Sequence, residues 1–436
     1  MAIMKGYLFE DVMMIPVDGK QTKWLRGDIA VVGDKIVEIG EKLKKNYSDL
    51  QVLSGKNRLV MPGLVNCHTH SAMNLLRGYA DDLPLMEWLE TKIWPKEAFL
   101  EAEDAYWGSM LAVLEMIKGG TTTFADMYVF MEETARAVEV SGIRAVLSRG
   151  LMDNNPDHGA IGFKENLELI KNWNGKADGR ITTMFGPHAP YTNSLDYLKQ
   201  VMSAADEANV GIHIHLAETQ AEVDIISKQY KKRPIELMES IGLFEGRHVL
   251  AAHCVKLSDN EKEILVSRKV GIAHNPQSNM KLASGVAPIP ELLAMGAVVG
   301  LGTDGASSNN DYDMFEEIRT CAIVHKLNET DPTVLPAYQA IEMATKLGAE
   351  AVGLKDTGTI QAGKKADLIL LDLDKPHLTP LYEPVSHAVY AAHASDVDTV
   401  MVNGQLLMIG RRMTTLDEER IIYEAQRVGE NLIKRQ

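Results

Sequence analysis

The chain has 436 residues, 45% of them hydrophobic and 24% charged, with a formal net charge of -15. That length is too great for one small core and suits a large barrel with a smaller domain beside it. The acidic excess, the lack of any Lys/Arg run and the lack of a long apolar stretch argue against a nucleic-acid backbone or a membrane as partner.

In chain order, residues 1–60 read as short strands. "GDIAVVGDKIVEIG" holds two alternating apolar runs around Gly33-Asp34, the pattern of a β-hairpin. Residues 1–12 carry Glu10 and Asp11 and lack the apolar centre of a signal peptide. The middle alternates β-type apolar runs with amphipathic stretches such as "SLDYLKQVMSAADEANV". The runs cover residues 58–66, 121–127, 144–149, 181–186, 211–216, 248–253, 270–274 and 298–302. Eight strand–helix units predict a closed parallel (β/α)8 TIM-type barrel over residues 61–357. An open doubly wound sheet is disfavoured because no GxGxxG follows the first run. The C-terminal part, residues 358–436, returns to strands, with "GKKADLILLDL" and a hairpin turning at Asn403-Gly404 in "TVMVNGQLLMIG". The two ends are therefore expected to pair as one small β-sandwich domain, followed by a helix over residues 417–434. Three cysteines, Cys67, Cys254 and Cys321, form no CxxC pair, so a disulfide framework is not expected and a cytoplasmic setting fits.

Chemistry in a barrel of this kind sits at the C-terminal ends of the strands. Those ends carry His68 and His70 in "NCHTH", His188 in "GPHAPYT", His215 and Glu218 in "HIHLAET", His253 in "AAHC" and Asp304 in "GTDGASS". Residues i and i+2 of a strand share a face, so His68 and His70 point the same way. With His215 and Asp304 from other strands they make a nitrogen-rich set suited to zinc, with iron or manganese as alternatives. A lone HxH pair is weak evidence among thirteen histidines, and the joint pattern carries the reading. His213 is expected one layer deeper in the barrel as a hydrogen-bonded core residue. His274 is also expected to be structural.

At these residues the chain resembles the amidohydrolase superfamily, over nearly its whole length. Within that superfamily it is most similar to the 5-methylthioadenosine/S-adenosylhomocysteine deaminase family, on "HTHSAMNLLRGYADDLPLMEWL", "IWPKE", "GPHAPYT", "HLAET", "AHC" and "GTDGASSNN". The branch also contains guanine and cytosine deaminases and triazine chlorohydrolases, so these motifs leave the substrate open. The resemblance implies one Zn2+ per chain held by His68, His70, His215 and Asp304, since no lysine stands at the fourth strand end to bridge two metals. It implies a small nucleoside substrate whose ring nitrogen is protonated by Glu218. Asp304 would also take a proton from the attacking water. His253 would orient that water or serve as a fifth ligand. Glu97 would bind the ribose hydroxyls, although Pro95 also makes it a helix-start residue. His188 would contact purine or ribose, and Trp88 would be an apolar wall or a core residue. Arg149 matches an arginine for an amino-acid carboxylate, while only Lys164 stands where relatives carry a second one. A homo-oligomer is compatible with all of this, and the sequence leaves the oligomeric state open.

Overall fold

The computed structural model describes residues 6–19 and 23–435, so residues 1–5 of the N-terminal reading lie outside it. The first strands are β1 (Gly6–Met14), β2 (Leu25–Val32), β3 (Lys35–Gly40), β4 (Gln51–Ser54) and β5 (Arg58–Pro62). The barrel strands follow as β6 (Leu64–Thr69), β7 (Thr121–Tyr128), β8 (Arg144–Leu151), β9 (Ile181–Pro187), β10 (Gly211–Leu216), β11 (Val249–His253), β12 (Gly271–His274) and β13 (Val298–Leu301). The chain closes with β14 (Leu368–Asp372), β15 (Val397–Val402), β16 (Gln405–Ile409) and β17 (Arg412–Met413).

The N- and C-terminal strands form one nine-stranded sheet, ordered β17-β16-β15-β14-β5-β1-β2-β3 with β4 on β1. Its pairing is mostly antiparallel, and β5 joins the two halves by pairing β1 on one side and β14 on the other. The expected two layers arise because this single sheet folds on itself. Ile29, Val31 and Ile36 from one end share a buried core with Leu368, Met401 and Leu406 from the other. The hairpin of β15 and β16 turns at Asn403-Gly404, both with positive φ (51° and 74°), as a tight two-residue turn requires.

β6 to β13 form an eight-stranded sheet in sequential order, and every pair is parallel. The seam between β6 and β13 is stitched by side chains and one main-chain bond. Asn66 accepts from the Thr303 N–H (3.0 Å) and donates to its hydroxyl (2.8 Å), and the Asp304 N–H donates to the His68 carbonyl at 2.9 Å. The apolar run 58–66, read as one strand, is two strands split at Gly63. A Cβ there would lie 2.1 Å from Thr122 Oγ1, so only glycine lets the chain cross from one sheet to the other.

The helix Glu418–Lys434 lies against Ala102–Lys118, a barrel helix, rather than on the small sheet. Lys118 pairs Glu418 at 2.5 Å, and Arg427 and Arg435 reach Glu103 and Asp104. Lys96 donates to the carbonyls of Ile433 and Arg435 (3.0 and 2.8 Å), which ties this tail to the segment that follows β6. The cysteines are buried and unpaired. Among the described residues, no helix is long and apolar enough to cross a membrane.

Candidate metal centre and active site

Because parallel strands share a direction, the C-terminal ends of β6, β9, β10, β11 and β13 open on one rim. His68 and His215 are the penultimate residues of β6 and β10, and His253 is the last residue of β11. His70 and His188 follow β6 and β9 directly, and Asp304 stands three residues beyond the end of β13. The turns at this rim are tight. Ala217, His253 and Asp304 all sit in the left-handed region (φ 52°, 73° and 65°), a strain typical of functional sites.

The nitrogens of His68, His215 and His253 lie within 4.8 Å of one another, as do the ligand atoms of His68, His70 and Asp304. Nε2 of His68 and of His70 are 3.3 and 3.2 Å from Asp304 Oδ1. Each imidazole is oriented through its other nitrogen. His70 Nδ1 donates to the Met127 carbonyl (2.6 Å) and His215 Nδ1 to the His188 carbonyl (2.7 Å). For His215 that bond places the proton on Nδ1 and leaves a lone pair on Nε2, and for His70 it directs Nε2 at Asp304. His68 Nδ1 meets His213 Nε2 at 2.8 Å, and His213 continues toward Ser148. His213 is thus buried one layer below, as expected, and also orients a candidate ligand. His253 Nδ1 is held by Asn279 Oδ1 at 2.9 Å. Asp304 Oδ2 accepts from the hydroxyls of Ser278 (2.7 Å) and Ser308 (2.9 Å), leaving Oδ1 toward the imidazoles.

The donor set fits a divalent cation. Burial holds His68 down to about 4 and His215 well below the ordinary imidazole range, so both are neutral donors. His68 Nε2 is buried with no hydrogen-bond partner, an orphan that a metal satisfies. Burial opposes charge on His70 as well, but the Asp304 carboxylate outweighs it and raises the imidazole to about 9. Asp304 is pulled well below the usual carboxylate range by His68 and His70, against the effect of burial. The pocket is therefore built to hold positive charge at its centre.

Glu218 follows β10 and is buried beside this cluster. Its Oε1 accepts from Ser284 (3.2 Å), its Oε2 is 3.9 Å from His253 Nε2, and burial raises its pKa. One cavity has His70, His188, His215, Glu218, His253 and Asp304 at one end and Trp88, Glu97 and Arg149 in its walls. His68 lies beneath its floor, fully buried. Trp88 serves both readings, since it lines the cavity while its indole donates to the Ala80 carbonyl at 2.9 Å. Tyr128 donates to Glu97 Oε1 at 2.5 Å, and burial raises the Glu97 pKa. His188 is held neutral by burial, down to about 3. Arg149 is paired with Glu165 at 2.7 Å. Lys164 is exposed and pairs Glu168, away from the cavity. His274 lies outside this site, against His325 at 3.1 Å.

Several contributors escaped the sequence reading. Glu222 stands in "TQAE", which signals a capping box on Thr219. Its carboxylate instead accepts from the N–H groups of Ala217 (2.8 Å) and Glu218 (2.9 Å), clamping the loop that carries Glu218. Tyr128 lies one residue past the run assigned to its strand. Asn279, Ser278 and Ser308 sit in "HNPQSN" and "GTDGASSNN", where polar residues at the strand ends were the only signal.

Residues 59–407 match the model of the amidohydrolase family. The chain is 50% identical over 427 residues to a 5-methylthioadenosine/S-adenosylhomocysteine deaminase of Syntrophomonas wolfei, covering 98% of this chain and 99% of that protein. It is also 50% identical over 433 residues to a 5'-deoxyadenosine deaminase of Methanosarcina acetivorans, covering 99% of each. An adenosine deaminase from Xanthomonas campestris with bound zinc superposes with a TM-score of 0.93 at 34% identity, covering 98% of this chain and 99% of the other. A zinc-complexed atrazine chlorohydrolase from Arthrobacter aurescens superposes with a TM-score of 0.89 at 25% identity, covering 98% of this chain and all of the other (100%). The chain belongs to the amidohydrolase family and, within it, to the 5-methylthioadenosine/S-adenosylhomocysteine deaminase family.

Proposed function

We propose that this protein is a zinc-dependent hydrolase that deaminates adenosine-type nucleosides, releasing ammonia and the inosine analogue. The observation that carries the reading is the convergence of the imidazoles and Asp304 beside the buried Glu218, at one end of a cavity whose walls carry Glu97. His68, His70, His215 and Asp304 would hold the ion. A divalent ion in such a site lowers the pKa of water toward neutrality and so supplies a nucleophile at pH 7.

The remaining work falls to the side chains. Asp304, steadied by Ser278 and Ser308, accepts the proton of the attacking water. His253, locked through Nδ1, holds the attacking oxygen in line with the ring carbon. Glu218 is buried, which favours its protonated form, so it can donate to the ring nitrogen beside that carbon. The carbon–oxygen bond forms, the carbon–nitrogen bond breaks, and the amine leaves as ammonia with the proton relayed by Glu218. Glu97 accepts from the vicinal ribose hydroxyls, and Tyr128 fixes its rotamer. His188 contacts the sugar or base, and Trp88 packs on the nucleoside.

Relatives of equal identity carry the names of methylthioadenosine/S-adenosylhomocysteine and of 5'-deoxyadenosine deaminases, so the reading includes adenosine and all three of its 5' variants. Ammonia release from adenosine, 5-methylthioadenosine, S-adenosylhomocysteine, 5'-deoxyadenosine, guanine and a chlorotriazine tests it. Turnover confined to the nucleosides is expected, with Glu97→Ala raising KM by roughly tenfold or more, the worth of charge-assisted hydrogen bonds. Turnover of guanine or the triazine alone, or nucleoside kinetics indifferent to Glu97→Ala, overturns it.

A further inference from the structure

Glu97 stands at the end of a single helical turn, Trp94–Glu97, which follows the π-helical stretch Leu89–Ile93. A turn that short does not hold itself, because fixing its backbone costs more than its few hydrogen bonds offset. Ile93 and Leu100 anchor the segment in the core, whereas Pro95, Ala98 and Phe99 between them are exposed. Tyr128 holds the Glu97 carboxylate but not the backbone beneath it. That hold comes from the far end of the chain. Lys96 Nζ donates to the carbonyls of Ile433 (3.0 Å) and Arg435 (2.8 Å). Both lie at the end of the helix Glu418–Lys434, where carbonyls lack intrahelical partners and the dipole favours a cation. Lys96 Nζ also lies 5.8 Å from the centre of the Phe99 ring. In return, Arg435 Nη1 donates to the Phe99 carbonyl at 2.8 Å, and its guanidinium pairs the buried Asp104.

We propose that residues 433–435 form a strap that sets the position of Glu97 in the cavity, with Lys96 and Arg435 as positioning residues for nucleoside binding. The inference rests on the reading of Glu97 as the ribose contact. The strap grips the chain at residues 96 and 99, one on each side of Glu97. Successive residues of a helical turn project about 100° apart, so Lys96 can reach the strap while Glu97 lines the cavity. The strap is a firm reference, because its helix buries Ile421, Ala425, Val428 and Leu432. A carboxylate that must meet two vicinal hydroxyls is sensitive to small shifts of its backbone, so loosening the grip weakens binding without touching the imidazole end. Lys96 is only half-buried, so its substitution is compatible with folding.

The test follows adenosine kinetics of the zinc-loaded protein through a double-substitution cycle. Lys96→Met, which keeps the side-chain length and removes the donor, and Arg435→Gln are each made alone and together with Glu97→Ala. Alone, each should raise KM by about threefold to tenfold, the worth of one hydrogen bond, with kcat unchanged. Lys96→Arg, which keeps a cation and donors at the helix end, should retain the parent KM. In the Glu97→Ala background neither substitution should move KM by more than about twofold, since the group they position is gone. If KM rises by the same factor with and without Glu97, or kcat falls with it, the strap serves the fold at large and the inference is overturned. If neither variant moves KM while Glu97→Ala does, the inference alone fails. If Glu97→Ala itself leaves the adenosine KM unchanged, the ribose reading falls and the inference with it.

Discussion

Asp311, in the loop between β13 and the helix Met314–Glu329, shows how burial sets a single side chain's contribution. Burial pushes its carboxyl from 3.8 up to about 6, with the Asp313 N–H pulling the other way and Glu316 and Asp313 adding repulsion. The folded pKa lies above the unfolded one, so the folded state binds the extra proton in that interval. Stability therefore falls as pH rises from about 3.8 to about 6 and is level above. Asp311→Asn keeps an oxygen for the Asp313 N–H, which the carboxylate accepts at 2.9 Å. The variant's advantage in Tm over the parent should grow across that interval and then stay constant up to pH 8. An advantage independent of pH would show that Asp311 ionises in the fold as it does in water. At this scale the sequence shows residue types well and partners poorly. His68 and His70 were legible because a period of two places them on one face. Glu222 and Glu165 were not, because their partners lie on loops and strands whose approach no local pattern encodes.

Elements here are held in register by contacts between sheets. Arg144, the first residue of β8, makes a bidentate pair with Asp367, just before β14, at 2.8 and 3.1 Å. Asp367 also accepts from the Asn403 N–H at 2.7 Å. Both side chains are almost fully buried (4% and 2% exposed). Removing one partner strands a buried charge, so Asp367→Ala should lower unfolding free energy by about 3–5 kcal/mol in urea titrations. A loss below about 1 kcal/mol would mean that water reaches Arg144 in the variant. The strand runs were legible from their apolar composition, and seven of them fall on single barrel strands. The first did not, because residues 59–65 run apolar on both sides of Gly63. The break there depends on Thr122, which lies 59 positions along the chain and packs where a Cβ would stand.

For the whole molecule, the proposed ligands His68, His70, His215 and Asp304 come from β6, β10 and β13 and their following turns, so an ion held by them would couple metal binding to barrel closure. Stripping the ion with a chelator should abolish deamination and lower Tm, and added zinc should restore both. At free metal a thousandfold above Kd the stabilisation is about 4 kcal/mol, readable by calorimetry. Equal Tm with and without metal would place the ion outside the folded core. The order of strands, the pairing of the two chain ends and the identity of the rim residues were all written in local patterns. Periodicity and turn chemistry act over a few neighbours and need no knowledge of the rest of the chain. Which nitrogen of each imidazole faces the centre, how Asp304 is turned, and that Glu165 neutralises Arg149 were decided only when the barrel closed. Those are hydrogen bonds between residues tens to hundreds of positions apart, and their geometry exists only once packing has brought the strands together.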